Sequence, residues 1–505
     1  MPGVARVLDR LQGQGAACAL AAGAGLAAGL GHPPYSLPAL FLLGLGVGAL
    51  LLCTRQGWVH AGTLGLCFGA GHFGLTLSWL VEPFLVFRDS VWLAPIVAGL
   101  MIVGMSLFWM IAFALAWIVG ASRLEKCLAL ALFLTLSGML REHAFSGFPW
   151  ALPAYVWSES PIAQVASATG SHGLTLLTAL VAVLPVAFGR SARGWTLALA
   201  LLATMAGLGQ IRQSTQLVLP RDQPVVRLVQ PNIPQHLKWS PEHAAEFLQR
   251  MYRLSVQPGD RSLSQIIWPE TAITFEAYKH EEVTQFKWLS DAVGNIPMIV
   301  GIPSWRGDRP FNSMLFIDSS GKVSDVYDKR HLVPFGEYVP FYGLLARFGI
   351  SAVARVERFG FTAGADDGHV YVGPLGRMTP VICYEMVFPR EVRMRPRPDV
   401  IVQITNDAWF GEFSGPQQHF AQSRMRSIEL GLPLLRVANT GISAATDAHG
   451  RVLSSLDVGE QGFLDVSVPP PLPPTIYARF GELPALLLLA ASAALLVRRR
   501  LVHRV

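Results

Sequence analysis

The chain has 505 residues, 51% of them hydrophobic and only 15% charged, which excludes a single soluble globular domain and points to membrane spans. Of its five cysteines, Cys18, Cys53, Cys67 and Cys127 fall in apolar stretches of the first third, so Cys383 stands alone and a disulfide framework is excluded. The net charge of +6 gathers in short clusters beside apolar runs, a pattern of membrane topology and not of nucleic-acid binding, and no histidine or cysteine pair has the spacing of a zinc site.

A hydrocarbon core about 30 Å thick takes roughly 20 apolar helical residues to cross. That window predicts spans at 15–31, 37–54, 61–80, 93–119, 126–140, 167–188, 194–209 and, after a long polar region, 481–497. The Gly-rich runs "GAGLAAGLG" and "GLGVGAL" read as close-packing helix faces, because neither lies between a strand and a soluble helix as a nucleotide loop does. Basic residues mark alternate connections: Arg6 and Arg10, Arg55, Arg123 and Lys126, Arg190 and Arg193, and Arg498, Arg499, Arg500 and Arg504. By the positive-inside rule, seven spans (1–210) start from the cytoplasm and leave the following domain outside; the eighth returns a basic tail, 498–505, to the cytoplasm. A cleaved signal peptide is the alternative for the first span and leaves the domain on the same side.

From 222 to 467 the pattern changes to short β-branched runs separated by amphipathic or loop segments, which predicts a mixed α/β domain. "DSSGK" and "DAHGR" predict hairpin turns, and "PPPLPP" makes 468–480 a stiff linker into the last span. Three runs end in chemistry: "IIWPE" at Glu270, "VSDVYDK" at Lys329 and "PVICYE" at Cys383. Each has a bland reading, as a helix first-turn carboxylate, a solvated lysine and a small buried hydrophobe. Strand ends of α/β folds converge on one edge, however, and together these groups form a catalytic set. The carboxylate serves as general base, the thiolate attacks an acyl carbon to give a thioester, and the ammonium favours the thiolate and stabilises the oxyanion.

"WPE" (268–270), "YDKRHLVPFGEYVP" (327–340), and "CYE" (383–385) followed by "NDAWFG" (406–411) resemble the nitrilase, or carbon–nitrogen hydrolase, superfamily. With the eight spans, and with "GPQQHFAQSRMRSIELGLPLLRVANTG" at 415–441, the whole chain resembles the bacterial apolipoprotein N-acyltransferase family. The resemblance implies a multi-pass α-helical membrane bundle carrying an extracytoplasmic αββα sandwich. It implies an acyl chain taken from a phospholipid, typically phosphatidylethanolamine, onto Cys383 and passed to the α-amine of an S-diacylglyceryl cysteine on an apolipoprotein. It further implies a Glu270–Lys329–Cys383 triad, Glu337 orienting the lysine, Tyr384 and Glu385 supporting the nucleophile, and Trp239 of "QHLKW" and Trp409 of "NDAWFG" near the site. The setting is the bacterial inner membrane, with the catalytic domain periplasmic, the protein a monomer, and no cofactor, metal or nucleic acid involved.

The stretch 341–361 mixes Phe341, Leu344 and Phe348 with arginines, and reads as a mobile lid meeting acyl chains and headgroup phosphates, or as an ordinary core helix and loop. "SGFPW" (146–150) is expected to line the lipid entrance through Gly147, with Trp150 as an interfacial anchor. Competing functions are a membrane-tethered amidase that releases its acyl group to water, and a transporter or receptor. The scarcity of ionisable residues in the spans argues against transport.

Overall fold

The computed structural model describes residues 13–86, 88–215, 223–259, 261–274, 278–279, 286–340, 360–365 and 370–502. The lid candidates Phe341, Leu344 and Phe348 lie outside the described residues. The chain forms two compact units: the described parts of Met1–Gln216, Phe413–Met425 and Pro474–Val505 make the first, and those of Leu217–Glu412 and Arg426–Pro473 the second.

In the first unit, helices α1 (Gln14–Gly29), α2 (Pro38–Thr54), α3 (Trp58–Thr76), α4 (Ala94–Val119), α5 (Arg123–His143), α6 (Ala166–Ala187) and α7 (Ala192–Gln213) are joined by a carboxy-terminal helix, Leu483–Val502. Each falls on a segment whose hydropathy predicts a span. By length and apolarity, however, only three helices among the described residues suffice to cross a membrane: those within Ser90–Val119, Pro161–Ala187 and Ala192–Gln213. A fourth counts if α3 and the following Ser78–Leu85, bent from it by 66°, are one span. The expectation of eight is therefore supported only in part. Helices α1 and α2 are short, at 16 and 17 residues, while charges sit at both ends of α5 and in the last turns of the carboxy-terminal helix.

Between helices in lipid there is no hydrophobic drive to associate, so close van der Waals packing on small residues substitutes for it. A Cβ added to Gly65 of α3 would lie 2.5 Å from the Trp109 carbonyl oxygen and 2.7 Å from Phe113 Cβ; one on Gly44 of α2 would lie 3.0 Å from Ala28 Cβ. Helix α5 opens on a capping box, Ser122 Oγ accepting from Glu125 N (3.3 Å) and Glu125 Oε2 from Ser122 N (3.2 Å). Trp150 is not an interfacial anchor: it is wholly buried, stacks on Phe148 and donates Nε1–H to Gln418 Oε1 at 2.5 Å. An indole finds this place inside a fold because its one donor is satisfied there. Gly147, three residues earlier, turns the chain at φ +81°.

The described residues of the second unit hold thirteen strands: β1 (Val225–Gln230), β2 (Gln265–Ile267), β3 (Tyr278–Lys279), β4 (Met298–Arg306), β5 (Arg309–Ile317), β6 (Val323–Asp328), β7 (Tyr371–Gly373), β8 (Gly376–Ile382), β9 (Val400–Thr405), β10 (Leu434–Ala438), β11 (Ser443–Thr446), β12 (Val452–Leu456) and β13 (Gly462–Ser467). One sheet runs β13-β1-β2-β4-β5-β6 with β3 beside β4; the other runs β12-β11-β10-β9-β8-β7. β1, β2 and β4 are mutually parallel, as are β8, β9 and β10, so each group delivers its carboxyl ends to one edge. Both expected hairpins form, β5–β6 through 318–322 and β11–β12 through 447–451, with Asp318 and Asp447 accepting backbone N–H groups of their own turns.

Period-2 alternation builds the layers. In β1, Val226 and Leu228 point to a core shared with Ile382, Val402 and Val437 of the second sheet, while Val229 points the other way, to a cluster with Met251, Leu254 and Leu289. Those last three belong to α8 (Pro241–Val256) and to Lys287–Ala292, so helices cover the outer face of the first sheet. The last turn of the helix Gly415–Leu430 meets the second sheet, Ser427 Oγ lying 3.1 Å from Thr446 Oγ1. Each large aliphatic buried in these clusters contributes about 1.5–3 kcal/mol. Arg227 of β1 is buried and joins strand to helix: it pairs with Asp465 at 2.7 Å and donates to the carbonyls of Leu254, Ser255 and Gln257 at the end of α8. A cation there satisfies both the orphan carbonyls and the negative end of the helix dipole.

Candidate active site

Three strand ends carry the three groups singled out in the sequence. Glu270 follows β2 by three residues, in a turn held on β4 by Trp268 N–H to Ile299 O (2.8 Å) and Ala272 N–H to Gly301 O (2.7 Å). A Cβ on Gly301 would lie 2.7 Å from Glu270 Cα, so only glycine lets the turn lie this close to the strand. Lys329 is the residue after β6, its N–H bonded to Asn312 O on β5 (2.8 Å). Cys383 is the residue after β8, and its φ of +52° breaks the strand sharply into a short 3₁₀ turn, Cys383–Val387. A non-glycine residue in this region costs about 1–3 kcal/mol, a strain common at reacting groups.

Lys329 lies between two carboxylates, donating to Glu337 Oε1 at 2.9 Å and to Glu270 Oε1 at 3.3 Å, and is 1% exposed. Burial alone would push its amine down, but Glu270 and Glu337 hold it well above the usual lysine range. Asn312 completes the cluster: its amide donates to Glu270 Oε1 (2.7 Å) and to Glu337 Oε1 (2.9 Å). Glu337 also accepts Val333 N–H at Oε2 (2.8 Å), which fixes its own loop.

Burial pushes the Cys383 thiol up, the Glu270 carboxylate pushes it further, and Lys329 offsets only part of this. Lys329 thus acts in the direction expected of it, toward the thiolate, against the larger effects of burial and Glu270. Much of its charge is met by two carboxylates, so burial and Glu270 outweigh it and favour the thiol form. Thr405, at the end of β9, hydrogen-bonds the Cys383 side chain and donates to Asp407 Oδ1 (2.7 Å), and Asp407 is paired with buried Arg436.

Glu385 clasps the site. Fully buried, it accepts Ile382 N–H (2.7 Å) at Oε2, and at Oε1 Arg330 N–H (2.7 Å), His331 N–H (3.3 Å) and Tyr327 O–H (2.8 Å), joining the cysteine turn to the lysine loop. Burial raises its pKa against the lowering effect of those N–H groups and of Arg330. Tyr384 is buried with its ring edge toward Phe388 and His331, and burial raises its phenol. Trp239 is 48% exposed, and Trp409 is half-buried in the turn that also holds Asp407. Among the described residues, no group of three or more His, Cys, Asp or Glu has the arrangement of a metal site.

Sequence reasoning missed Asn312, Lys238, Thr405, Asp407 and Arg436. Lys238 stands beside Trp239 in "QHLKW" and Asp407 lies within "NDAWFG", so both were inside motifs whose notice went to the tryptophans. Lys238 is 2% exposed and donates to the Glu270 carbonyl oxygen at 3.0 Å.

The carbon-nitrogen hydrolase family profile matches residues 225–472, and that of the apolipoprotein N-acyltransferase N-terminal domain matches residues 24–184. An apolipoprotein N-acyltransferase of Bradyrhizobium diazoefficiens is 39% identical, over 89% of this chain and 88% of that protein. Those of Rhodopseudomonas palustris and Caulobacter vibrioides are 37% and 34% identical, over 88% and 96% of this chain and 87% and 94% of theirs. The chain belongs to the apolipoprotein N-acyltransferase family. The family assigns it acyl transfer to nitrogen, and its second unit carries that chemistry on a carbon-nitrogen hydrolase domain.

Proposed function

We propose that this protein moves a fatty acyl chain from a phospholipid, by way of a thioester on Cys383, to the α-amine of the diacylglyceryl cysteine that begins an apolipoprotein. The observation that carries the mechanism is Lys329 held between Glu270 and Glu337 beside a buried thiol. Glu270 takes the thiol proton as sulfur attacks the ester carbonyl, Lys329 donates to the oxyanion, and Glu270 returns the proton to the departing lysophospholipid. The acceptor amine then attacks the thioester, Glu270 removes a proton from the amine, and as the C–N bond forms the C–S bond breaks and Glu270 returns that proton to the departing Cys383 sulfur. Glu337 and Asn312 fix Lys329 and Glu270, while Glu385 fixes the cysteine turn against the lysine loop.

The donor is phosphatidylethanolamine and the protein acts as a monomer in the bacterial inner membrane. Eight spans leave the catalytic domain periplasmic and the carboxy-terminus cytoplasmic, in keeping with the alternate basic loops. Gly147, Trp239, Trp409 and the 341–361 stretch serve the lipid substrates. Both donor and acceptor are lipids, so an enzyme seated in the bilayer meets them where they are. The test incubates the purified protein with phosphatidylethanolamine, weighs it intact, and then adds a diacylated lipopeptide. Acylation at Cys383 that the lipopeptide discharges is expected. Discharge by water at the same rate would make it a hydrolase, and acyl transfer by a Cys383→Ala variant would refute the mechanism.

A further inference from the structure

The mechanism so far leaves a buried cation unused. Lys238 lies in the turn between β1 and α8, and its ammonium donates to the Glu270 carbonyl (3.0 Å) while its own carbonyl accepts Thr274 Oγ1–H (3.1 Å). The residue is therefore tied to both ends of the Glu270 turn. Its segment is pinned in turn, Asn406 Nδ2 donating to Gln235 Oε1 (2.7 Å) and Asn439 Nδ2 to Ile233 O (2.9 Å). An ammonium has three N–H donors. Among the described residues only the Glu270 carbonyl accepts one from Lys238.

A charge count gives the consequence. Asp407 is paired with Arg436, and Glu385 lies beside Arg330, but Glu270 and Glu337 together face the single ammonium of Lys329. Attack on an ester moves one negative charge from Glu270, which takes the thiol proton, onto the ester oxygen, so the excess of one negative charge over Lys329 persists in this buried site, and an uncompensated buried charge is costly. Lys238 supplies the missing positive charge, close enough to act on both Glu270 and Cys383.

We propose that Lys238 is the second cation of the acyl-transfer site, a positioning residue that holds the Glu270 turn and whose charge offsets the negative charge developed when Cys383 attacks the donor ester. This rests on the acyl-transfer reading above. In that step the Cys383 S–C bond forms, the thiol proton passes to Glu270, the ester C–O bond breaks, and Glu270 returns the proton to the departing alkoxide. No electrons are gained or lost, and Lys238 keeps its proton throughout.

The charge is conditional on pH. Burial pushes the Lys238 amine down to about 8, against the upward pull of Glu270 and Cys383. The groups facing it are Glu270 and Thr274 from the turn after β2 and Cys383 from the turn after β8; Lys329 and Glu337 stand beyond Glu270, and His236 is exposed on its own turn. A lysine is charged below its pKa, so the offset is present below about pH 8 and is lost as pH rises through it.

The experiment follows acylation of Cys383 by intact mass in the full-length protein, without acceptor, from about pH 6 to about pH 10 around that lysine value. Donors are phosphatidylethanolamine and, to exclude headgroup titration, phosphatidylglycerol, which has no amine. The native rate should fall on the alkaline side with an apparent pKa near 8 with either lipid. Lys238→Arg, charged throughout, should acylate without that alkaline limb; Lys238→Met should acylate about 100-fold more slowly near neutrality, also without it. A limb that persists in either variant, a native profile with no limb, or a Met variant within about threefold of native would overturn the inference, threefold being well under one donor's effect. Where arginine at this position does not fold, the Met variant and the native profile decide alone. Native protein acylated by neither lipid at any pH refutes the acyl-transfer reading itself, which separates the two failures.

Discussion

Replacing Glu385 with glutamine tests whether the clasp between the cysteine turn and the lysine loop sets the reaction rate. The carboxylate accepts four hydrogens, one at Oε2 from Ile382 and three at Oε1 from Arg330, His331 and Tyr327. Glutamine keeps one oxygen, best spent on the group of three, and turns its NH₂ toward the Ile382 N–H, setting donor against donor. The loss is one charge-assisted bond, about 1.5–3 kcal/mol, plus an unpaired buried N–H at about 1–3 kcal/mol. The glutamine no longer has to be buried as an ion, so the net cost is about 2–4 kcal/mol. Ile382 immediately precedes the nucleophile and Arg330 immediately follows Lys329, so the loosened contact separates the reacting sulfur from its oxyanion donor. If that cost falls wholly on the transition state, Cys383 acylation slows by roughly 30- to 1000-fold, at 1.36 kcal/mol per decade. The assay is the rate of acyl-enzyme appearance by intact mass in phospholipid micelles, with thermal unfolding recorded on the same samples. A folded Glu385→Gln protein acylating within about threefold of native, a difference of under 1 kcal/mol, would show that the clasp does not position the site.

Asn312→Ala leaves Glu270 and Glu337 sharing Lys329 alone. Losing a charge-assisted donor worth about 1.5–3 kcal/mol should slow Cys383 acylation by roughly 10- to 150-fold if the cost falls on the transition state, read as acyl-enzyme appearance by intact mass. Arg227→Met strips Asp465 and three helix-end carbonyls of their partner and should lower stability by about 3–5 kcal/mol, seen as a lower urea midpoint in the full-length protein while residual folded protein keeps its acylation rate. Gly65→Ala drives a methyl into the Trp109 carbonyl and Phe113; overpacking of about 1–3 kcal/mol should lower the melting temperature, and an unchanged one would mean the helices part without cost.

What the sequence disclosed of the site follows from how local each signal is. Glu270, Lys329 and Cys383 each end a β-branched run, and a strand end followed by a polar residue is readable within a few positions. The Asp318 and Asp447 turns are readable for the same reason, since each aspartate bonds its own next few residues. Asn312 was invisible: within "RPFNSMLFI" it is one polar residue in a strand, and its meaning lies in Glu270 and Glu337, which reach it only through sheet register. Lys238 was passed over in "QHLKW" for its neighbour Trp239, because its meaning lies in a backbone carbonyl 32 residues away that only the fold brings to it. Trp150 misled in the opposite sense, because hydropathy assigns a tryptophan near a helix end to the interface and cannot see Gln418 waiting 268 residues later. In the first unit hydropathy located the eight long helices, of which three among the described residues are long and uniformly apolar enough to span.

The left-handed turn at Cys383 limits what can ever stand at that position. With φ at +52°, a side chain branched at Cβ is crowded against the backbone, so valine and isoleucine are disfavoured where serine and alanine are admitted. Serine in place of the cysteine would give an oxygen ester, less reactive toward amines than a thioester. The geometry of one peptide unit thus restricts the chemistry open to descendants of this enzyme. A variant lineage could lose the second half of the reaction while retaining the first, becoming a protein that accepts an acyl chain and keeps it.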